Sequence, residues 1–259
     1  VPGPLLTPIL DAVEDRGGID HQLRRMVVFF GSRQMLERTT QLLGPIWAHG
    51  FGSTEQGAVT TRLLPSDVED NPERLDSVGL PGSPFLEVAI FDEDGTRLGA
   101  GEVGEIVVRS AMSIGEYWGL EDKTAEAFFP GDWYRPYDVG YLDDDGFLFY
   151  ADRASDRITS ADGVVYPHLV EAAILHHRAV ANCGVVGIGE EGRQQVVAAV
   201  QLKNGVSGTP ELRDEILDEV SRQLPPHERP ARVEFLNELP TVLGGAKVQR
   251  GALRDQLSA

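Results

Sequence analysis

Asp138-Val139-Gly140-Tyr141-Leu142-Asp143-Asp144-Asp145-Gly146-Phe147-Leu148-Phe149-Tyr150 is the stretch on which the fold turns. Tyr141 and Leu142 run into a turn signal, Asp143 to Gly146, and Phe147 to Tyr150 run out of it. Asp-Gly between two apolar runs predicts a β-hairpin, because glycine accepts the backbone angles that a tight turn demands. Upstream, Phe85-Leu86-Glu87-Val88-Ala89-Ile90-Phe91 reads as a strand, Asp92-Glu93-Asp94-Gly95 as a second turn and Glu105-Ile106-Val107-Val108-Arg109 as another strand. Short strands joined by such turns predict an antiparallel sheet or small barrel. A short helix over 123–128 lies between them.

Further toward the N-terminus the texture differs. Helical spacing over 5–13, an apolar strand over 25–30 ending at Gly31, helical spacing over 35–43 and a strand through Ile46 and Trp47 predict the tail of a βα-layered domain. Residues 63–84, with proline, glycine and acids, read as loop. After Asp152-Arg153 the pattern changes again. A helix over 167–177 carries proline in its first turn, and strands follow over 185–188 and 196–202. A helix capped by Thr209 runs from Pro210 to Leu224 and stops at Pro225-Pro226. A strand over 233–236 and a last helix from near Gly251 complete a compact α+β unit. The fold class expected is therefore α/β and α+β: a βα-layered tail with an antiparallel sheet or small barrel over 1–152, then a small α+β domain over 153–259.

Composition bounds the function. The chain has 259 residues and a formal net charge of −18, with hydrophobic residues at 41%. Acids spread along the chain repel phosphate backbones and anionic lipids, so nucleic-acid and membrane partners are not expected. No apolar run is long enough to span a bilayer. Val1-Pro2-Gly3-Pro4-Leu5-Leu6 lacks an initiator Met, a basic region and a cleavage pattern, and reads as a cut through a longer chain. The single cysteine, Cys183, suits a reducing cytoplasm and reads as a small buried strand residue. The six histidines show no metal-ligand spacing.

Three segments could carry chemistry. In Gly50-Phe51-Gly52-Ser53-Thr54-Glu55-Gln56-Gly57, the glycines allow a tight turn, Thr54 offers a hydroxyl to a phosphate and Glu55 offers a hard oxygen ligand to Mg²⁺. The alternative is a plain glycine-rich loop. In Trp133-Tyr134-Arg135-Pro136-Tyr137-Asp138, an aspartate at a strand end can accept both hydroxyls of a ribose, or merely cap a turn. In Leu239-Pro240-Thr241-Val242-Leu243-Gly244-Gly245-Ala246-Lys247-Val248-Gln249-Arg250, a lysine on a glycine-rich loop can bring its ammonium to a cleft, or remain solvated.

The order and spacing of these segments, with Gly101-Glu102-Val103-Gly104-Glu105, Tyr117-Trp118 and Ala151-Asp152-Arg153, resemble the later motifs of the acyl-adenylate-forming (AMP-dependent synthetase and ligase) superfamily. That superfamily includes acyl-CoA ligases, peptide-synthetase adenylation domains and beetle luciferases. The resemblance covers nearly the whole chain and is of the acyl-CoA ligase type. It implies that a carboxylic acid is converted through acyl-AMP to a thioester, with ATP, Mg²⁺ and coenzyme A. It further implies that Thr54 and Glu55 contact the α-phosphate and Mg²⁺, that Asp138 holds the ribose and that Arg153 assists the nucleotide at a hinge between domains. Lys247 would be the catalytic lysine of a mobile C-terminal lid. Phe51 and Gly52, with Gly31, Ser32 and Arg33, would line the adenine and acyl pockets, and Gly79 and Pro81 match the family's Val-Gly-x-Pro turn. Cytoplasmic localisation follows from the same reading.

The family's phosphate loop, which comes earlier in such enzymes, does not occur in this chain, so a missing N-terminal part is expected as a partner. Pro136-Tyr137 stands where the family has Thr-Gly, Ser155 at the hinge position usually Asp or Lys, and Ala246 for the glycine before Lys247. Asp162 takes a place usually held by glycine at the thiol tunnel, with Gly163 beside it. These departures suggest weakened adenylation with thiol transfer retained, or neutral drift in a working enzyme. The alternatives are an enzyme that loads a carrier protein and a non-catalytic remnant that binds nucleotide or a partner.

Overall fold

The computed structural model describes residues 1–242 and 247–258. The chain divides into two compact units, Val1–Tyr150 and Ala151–Ala259.

The first unit opens with α1 (Gly3–Asp15), β1 (Met26–Val28), α2 (Arg33–Leu43) and β2 (Trp47–Phe51). Strands β1 and β2 are parallel, Met26 facing Trp47, with α2 as the crossover between them. α2 begins where the Ser32 hydroxyl accepts the Met35 N–H at 3.3 Å, and it buries Leu36, Thr39 and Leu43, one stripe at helical spacing. β3 (Thr61–Leu63) and β4 (Leu80–Pro81) extend this sheet antiparallel. They correct the loop expected over 63–84, which instead holds strand ends and two short 3₁₀ turns at Pro65–Asp67 and Pro72–Asp76. Leu63 is fully buried, and that burial makes an edge of the polar segment into a strand.

A second sheet combines β5 (Leu86–Phe91), β6 (Gly104–Ser110), β7 (Phe128–Phe129), β8 (Trp133–Tyr134), β9 (Asp138–Leu142) and β10 (Leu148–Arg153). Its order is β10-β9-β6-β8-β7 with β5 also on β6, an open sheet rather than a closed barrel among the described residues. Alternation along β5 and β6 feeds two separate cores. Val88, Ile90, Ile106 and Val108 join one, while Ala89, Phe91 and Val107 join Trp133 in the other. The hairpin turn forms as its sequence demands: the Asp143 N–H donates to the Phe147 carbonyl at 3.0 Å, and the Gly146 N–H to the Asp143 carbonyl at 3.0 Å. Between β6 and β7 lies α3 (Glu121–Glu126), which stops before the expected 128 because Phe128 pairs with Tyr134 in the sheet. Phe85, 82% exposed, stays outside β5.

The second unit contains β11 (Ile158–Ser160), β12 (Gly163–Val165), α4 (Pro167–Leu175), β13 (Val180–Ile188), β14 (Gln195–Leu202), α5 (Pro210–Gln223), β15 (Arg232–Phe235), β16 (Thr241–Val242), β17 (Lys247–Val248) and α6 (Arg250–Ser258). β13 and β14 are antiparallel, and β15 joins β14 in parallel after the α5 crossover. Thr209 caps α5 by accepting the Leu212 N–H at 3.2 Å. One face of the sheet meets α4 and α5 through Val170, Ile174, Ile216 and Val220. The other meets α6 through Val186, Ala199 and Leu253. Fully burying each such aliphatic side chain is worth about 1.5–3 kcal/mol, and this unit has its own core on both faces. No helix among the described residues is long and apolar enough to cross a membrane.

Candidate functional site

β2 ends at Phe51, and the chain then makes one tight 3₁₀ turn, Thr54–Gln56. Gln56 closes it: its Oε1 accepts the Ser53 N–H at 3.0 Å and the Thr60 hydroxyl at 2.7 Å. The Glu55 carbonyl accepts the Ile114 N–H at 2.8 Å, which ties the turn to the neighbouring loop. A backbone so held presents an exposed Thr54 and a half-buried Glu55. Ser53 Oγ, Gln56 Nε2 and Ser113 Oγ are buried with no hydrogen-bond partner among the described residues. Three uncompensated polar groups around one turn are costly unless something binds them. Beside them the Tyr117 and Tyr134 hydroxyls meet at 3.1 Å. Burial, the hydrogen bond to Tyr117 and the charge of Glu55 together push the Tyr134 hydroxyl well above its ordinary pKa, so it stays protonated.

Asp138 is the first residue of β9 and is buried, 7% exposed. The residues before it are held hard. Arg135 grips Glu105 through Nε–Oε1 at 3.0 Å and a second bond at 2.8 Å, and lies 4.1 Å above the Phe129 ring. Tyr137 takes a left-handed backbone, φ +60°, and its hydroxyl donates to the Glu126 carbonyl at 3.1 Å. Of the pocket-lining candidates, Gly31 donates its N–H to His49 Nε2 at 3.3 Å, Ser32 caps α2, and Arg33 is engaged by Asp76 at 2.7 Å and by the Pro72 carbonyl at 2.8 Å. The Phe51 ring lies 5.9 Å from that of Tyr150.

In the second unit Arg153 is exposed, and Ser155 sits exposed in the 3₁₀ turn Ala154–Asp156. The turn between β11 and β12 carries Asp162, whose N–H donates to Ser160 Oγ at 3.3 Å, and Gly163 at φ +144°. Gly163 takes the positive φ that glycine favours, and Asp162 does not need one. Lys247 is the first residue of β17, opposite Val242 of β16. Its side chain and residues 243–246, with Gly244, Gly245 and Ala246, lie outside the described residues.

Sequence reasoning passed over one constellation. Arg250 binds both Glu171 oxygens at 3.1 and 3.0 Å, Asp152 at 3.3 Å and Asp156 at 3.2 Å. Glu171 Oε1 also accepts the Val185 N–H at 2.9 Å, and Asp152 accepts the N–H groups of Arg153 at 2.8 Å and His168 at 2.9 Å. Burial alone would raise the Glu171 pKa, but the nearby His168 imidazole at 3.8 Å, the charge of Arg250 and the Val185 N–H hold it below the ordinary value. Asp152 lies above its ordinary value, because its burial and the nearby Glu171 charge outweigh Arg250. The signal available in the sequence was an acid inside the apolar run Leu169-Val170-Glu171-Ala172-Ala173-Ile174, since a lone charge there needs a buried partner. Among the described residues no group of three His, Cys, Asp or Glu is arranged to hold a metal. Glu55 therefore fits Mg²⁺ only as one protein ligand beside phosphate oxygens, which is the usual manner of Mg²⁺ at nucleotides.

Residues 13–118 match the model of the AMP-binding enzyme family, and residues 169–243 match that of the AMP-binding enzyme C-terminal domain. The fatty acid–[acyl-carrier-protein] ligase ScoC of Streptomyces coeruleorubidus is 33% identical over 93% of this chain and 46% of its own. The medium/long-chain-fatty-acid–CoA ligase FadD8 of Mycobacterium tuberculosis is 33% identical over 88% of this chain and 40% of its own. Among solved structures, the amide bond synthetase McbA of Marinactinospora thermotolerans superimposes with a TM-score of 0.87 at 29% identity, covering 100% of this chain and 51% of that one. The chain spans about half the length of the relatives it matches.

Proposed function

The chain belongs to the AMP-binding, acyl-adenylate-forming family, and from that premise we propose that it forms the later part of an acyl-CoA ligase. Such an enzyme converts a carboxylic acid with ATP to acyl-AMP and passes the acyl group to the thiol of coenzyme A. The observation that carries this reading is the rigid turn at Thr54 and Glu55, ringed by buried polar groups without partners, in a chain that matches both family domains. Thr54 would hydrogen-bond the α-phosphate, and Glu55 would hold Mg²⁺, which offsets phosphate charge. Asp138 would take the ribose, Arg153 would assist the nucleotide beside the hinge, and Ser155 would be the hinge residue. Phe51, Gly52, Gly31 and Ser32 would line the nucleotide pocket. Arg33 would act there only indirectly, through its grip on Asp76. The backbone at Asp162 and Gly163 would border the path of the thiol. The Lys247 ammonium would stabilise the charge developing as the carboxylate attacks phosphorus. A reaction that consumes ATP and coenzyme A fits the cytoplasm. The left-handed Tyr137 supports a slow adenylation step with thiol transfer retained.

Two other acceptors have support. The likeness to ScoC favours the thiol arm of a carrier protein, and the likeness to McbA favours an amine. The test is carried out on the full-length protein. Pyrophosphate exchange with a panel of carboxylic acids measures the first half-reaction, and supplied acyl-AMP with CoA, a holo-carrier bearing a free pantetheine thiol or an amine measures the second. We expect CoA to be the best acceptor. Lys247→Ala is expected to lower exchange about 100-fold while sparing transfer from acyl-AMP. Equal losses in the two assays would refute this division of roles.

A further inference from the structure

We infer that Arg250 is a positioning residue for adenylation, coupling the strand that carries Lys247 to the hinge segment through one buried ion cluster. The inference rests on Lys247 being the lysine of the adenylation step. Arg250 follows Lys247 by three residues and begins α6. The root of the β16–β17 hairpin is closed by the Gln249 N–H donating to the Pro240 carbonyl at 2.8 Å. Val248 and Leu253 press on Gly184 of β13 so closely that a methyl group there would lie 2.8 Å from each. Apolar packing therefore fixes one side of this root, and the Arg250 guanidinium fixes the other.

What the guanidinium holds is the hinge. Asp152 precedes Ser155 and Asp156 follows it, and both carboxylates bind Arg250. Glu171 is the firm anchor, since it meets Arg250 with both oxygens, is buried within α4 and is itself bonded to β13 through Val185. Arg250 thus bridges the two flanks of Ser155 while remaining fastened to α4. Torsion at Ser155 cannot change the separation of Asp152 and Asp156 without disturbing the contacts of the residue three places from Lys247.

Stability alone does not call for this arrangement. The Arg250 and Glu171 side chains are 17% and 11% exposed and that of Asp152 3%, and desolvating such charges costs several kcal/mol each. Apolar residues of like volume often serve stability as well or better, so the better-attested use of a buried ionic cluster is to select one geometry.

The test uses Arg250→Met, Arg250→Lys and Glu171→Gln in the full-length protein, beside Lys247→Ala. Arg250→Met is expected to lower the kcat of pyrophosphate exchange about tenfold to a hundredfold, the scale of small misplacements, with little change in the KM for ATP. Transfer from supplied acyl-AMP should be retained, Glu171→Gln should reproduce the split and Arg250→Lys should restore part of the loss. Hydrogen exchange supplies a readout independent of activity: amides of 153–157 and 247–249 should exchange faster together, with β14 unchanged. If Arg250→Met fails to fold, Arg250→Met combined with Glu171→Leu removes the Glu171 charge that loss of Arg250 strands, and takes its place in both measurements. Exchange activity intact in Arg250→Met while Lys247→Ala abolishes it overturns the inference alone. Parallel loss of both half-reactions, or faster amide exchange at 247–249 without 153–157, also overturns it. Lys247→Ala with unimpaired exchange removes the reading of Lys247 and the inference with it.

Discussion

Tyr137 holds φ at +60°, a backbone that an aromatic residue occupies at a cost of about 1–2 kcal/mol. Its hydroxyl bond to the Glu126 carbonyl returns about 1 kcal/mol. Replacing Tyr137 with glycine removes both terms and adds an unfolded-state entropy cost of about 0.5–1 kcal/mol. We therefore expect Tyr137→Gly to leave stability within about 1 kcal/mol by urea titration while pyrophosphate exchange rises several-fold. Unchanged exchange would show that the ring does not crowd the nucleotide. Cys183 makes the opposite case, a reactive residue type kept inert. It is 3% exposed, and burial together with the Glu171 charge pushes its thiol well above the ordinary range. Alkylation of the native protein at pH 8 should accordingly be negligible and should become rapid only in denaturant. Both residues stand out in the sequence, but only coordinates supply the left-handed angle of one and the acidic neighbour of the other.

At the scale of elements, turn and cap chemistry was legible because it is local. Thr209 and the Asp143–Gly146 turn act on backbone groups within four residues of themselves. Errors fell where tertiary pairing overrides local preference, as when Phe128 leaves a helical pattern to join Tyr134 in the sheet. Gly79 combines the two kinds of information. It takes φ +89°, and a methyl group on it would fall 2.0 Å from the Arg62 carbonyl oxygen. Its own carbonyl accepts the Leu148 N–H at 3.0 Å, linking the β3–β4 edge to β10. Gly79→Ala should cost about 3 kcal/mol or more by urea unfolding, the sum of overpacking and backbone strain. A loss below about 1 kcal/mol would show that the two strands can part there without penalty.

On the scale of the whole molecule, each unit buries its own core. Ile158, Ile174, Val185, Val200 and Ile216 share one cluster inside the second unit. Residues 151–259 expressed alone should therefore unfold in a single cooperative transition by calorimetry, whereas a broad transition with exposed apolar surface would contradict the division. Sequence by itself determined the order and type of most elements, because side-chain period and turn composition report on backbone within a few residues. Tertiary structure alone decided that Arg250 reaches Asp152 across 98 positions and Glu171 across 79, and that Arg33 closes on Asp76 across 43. Such pairings depend on which strands the sheets bring side by side, and no local pattern encodes that.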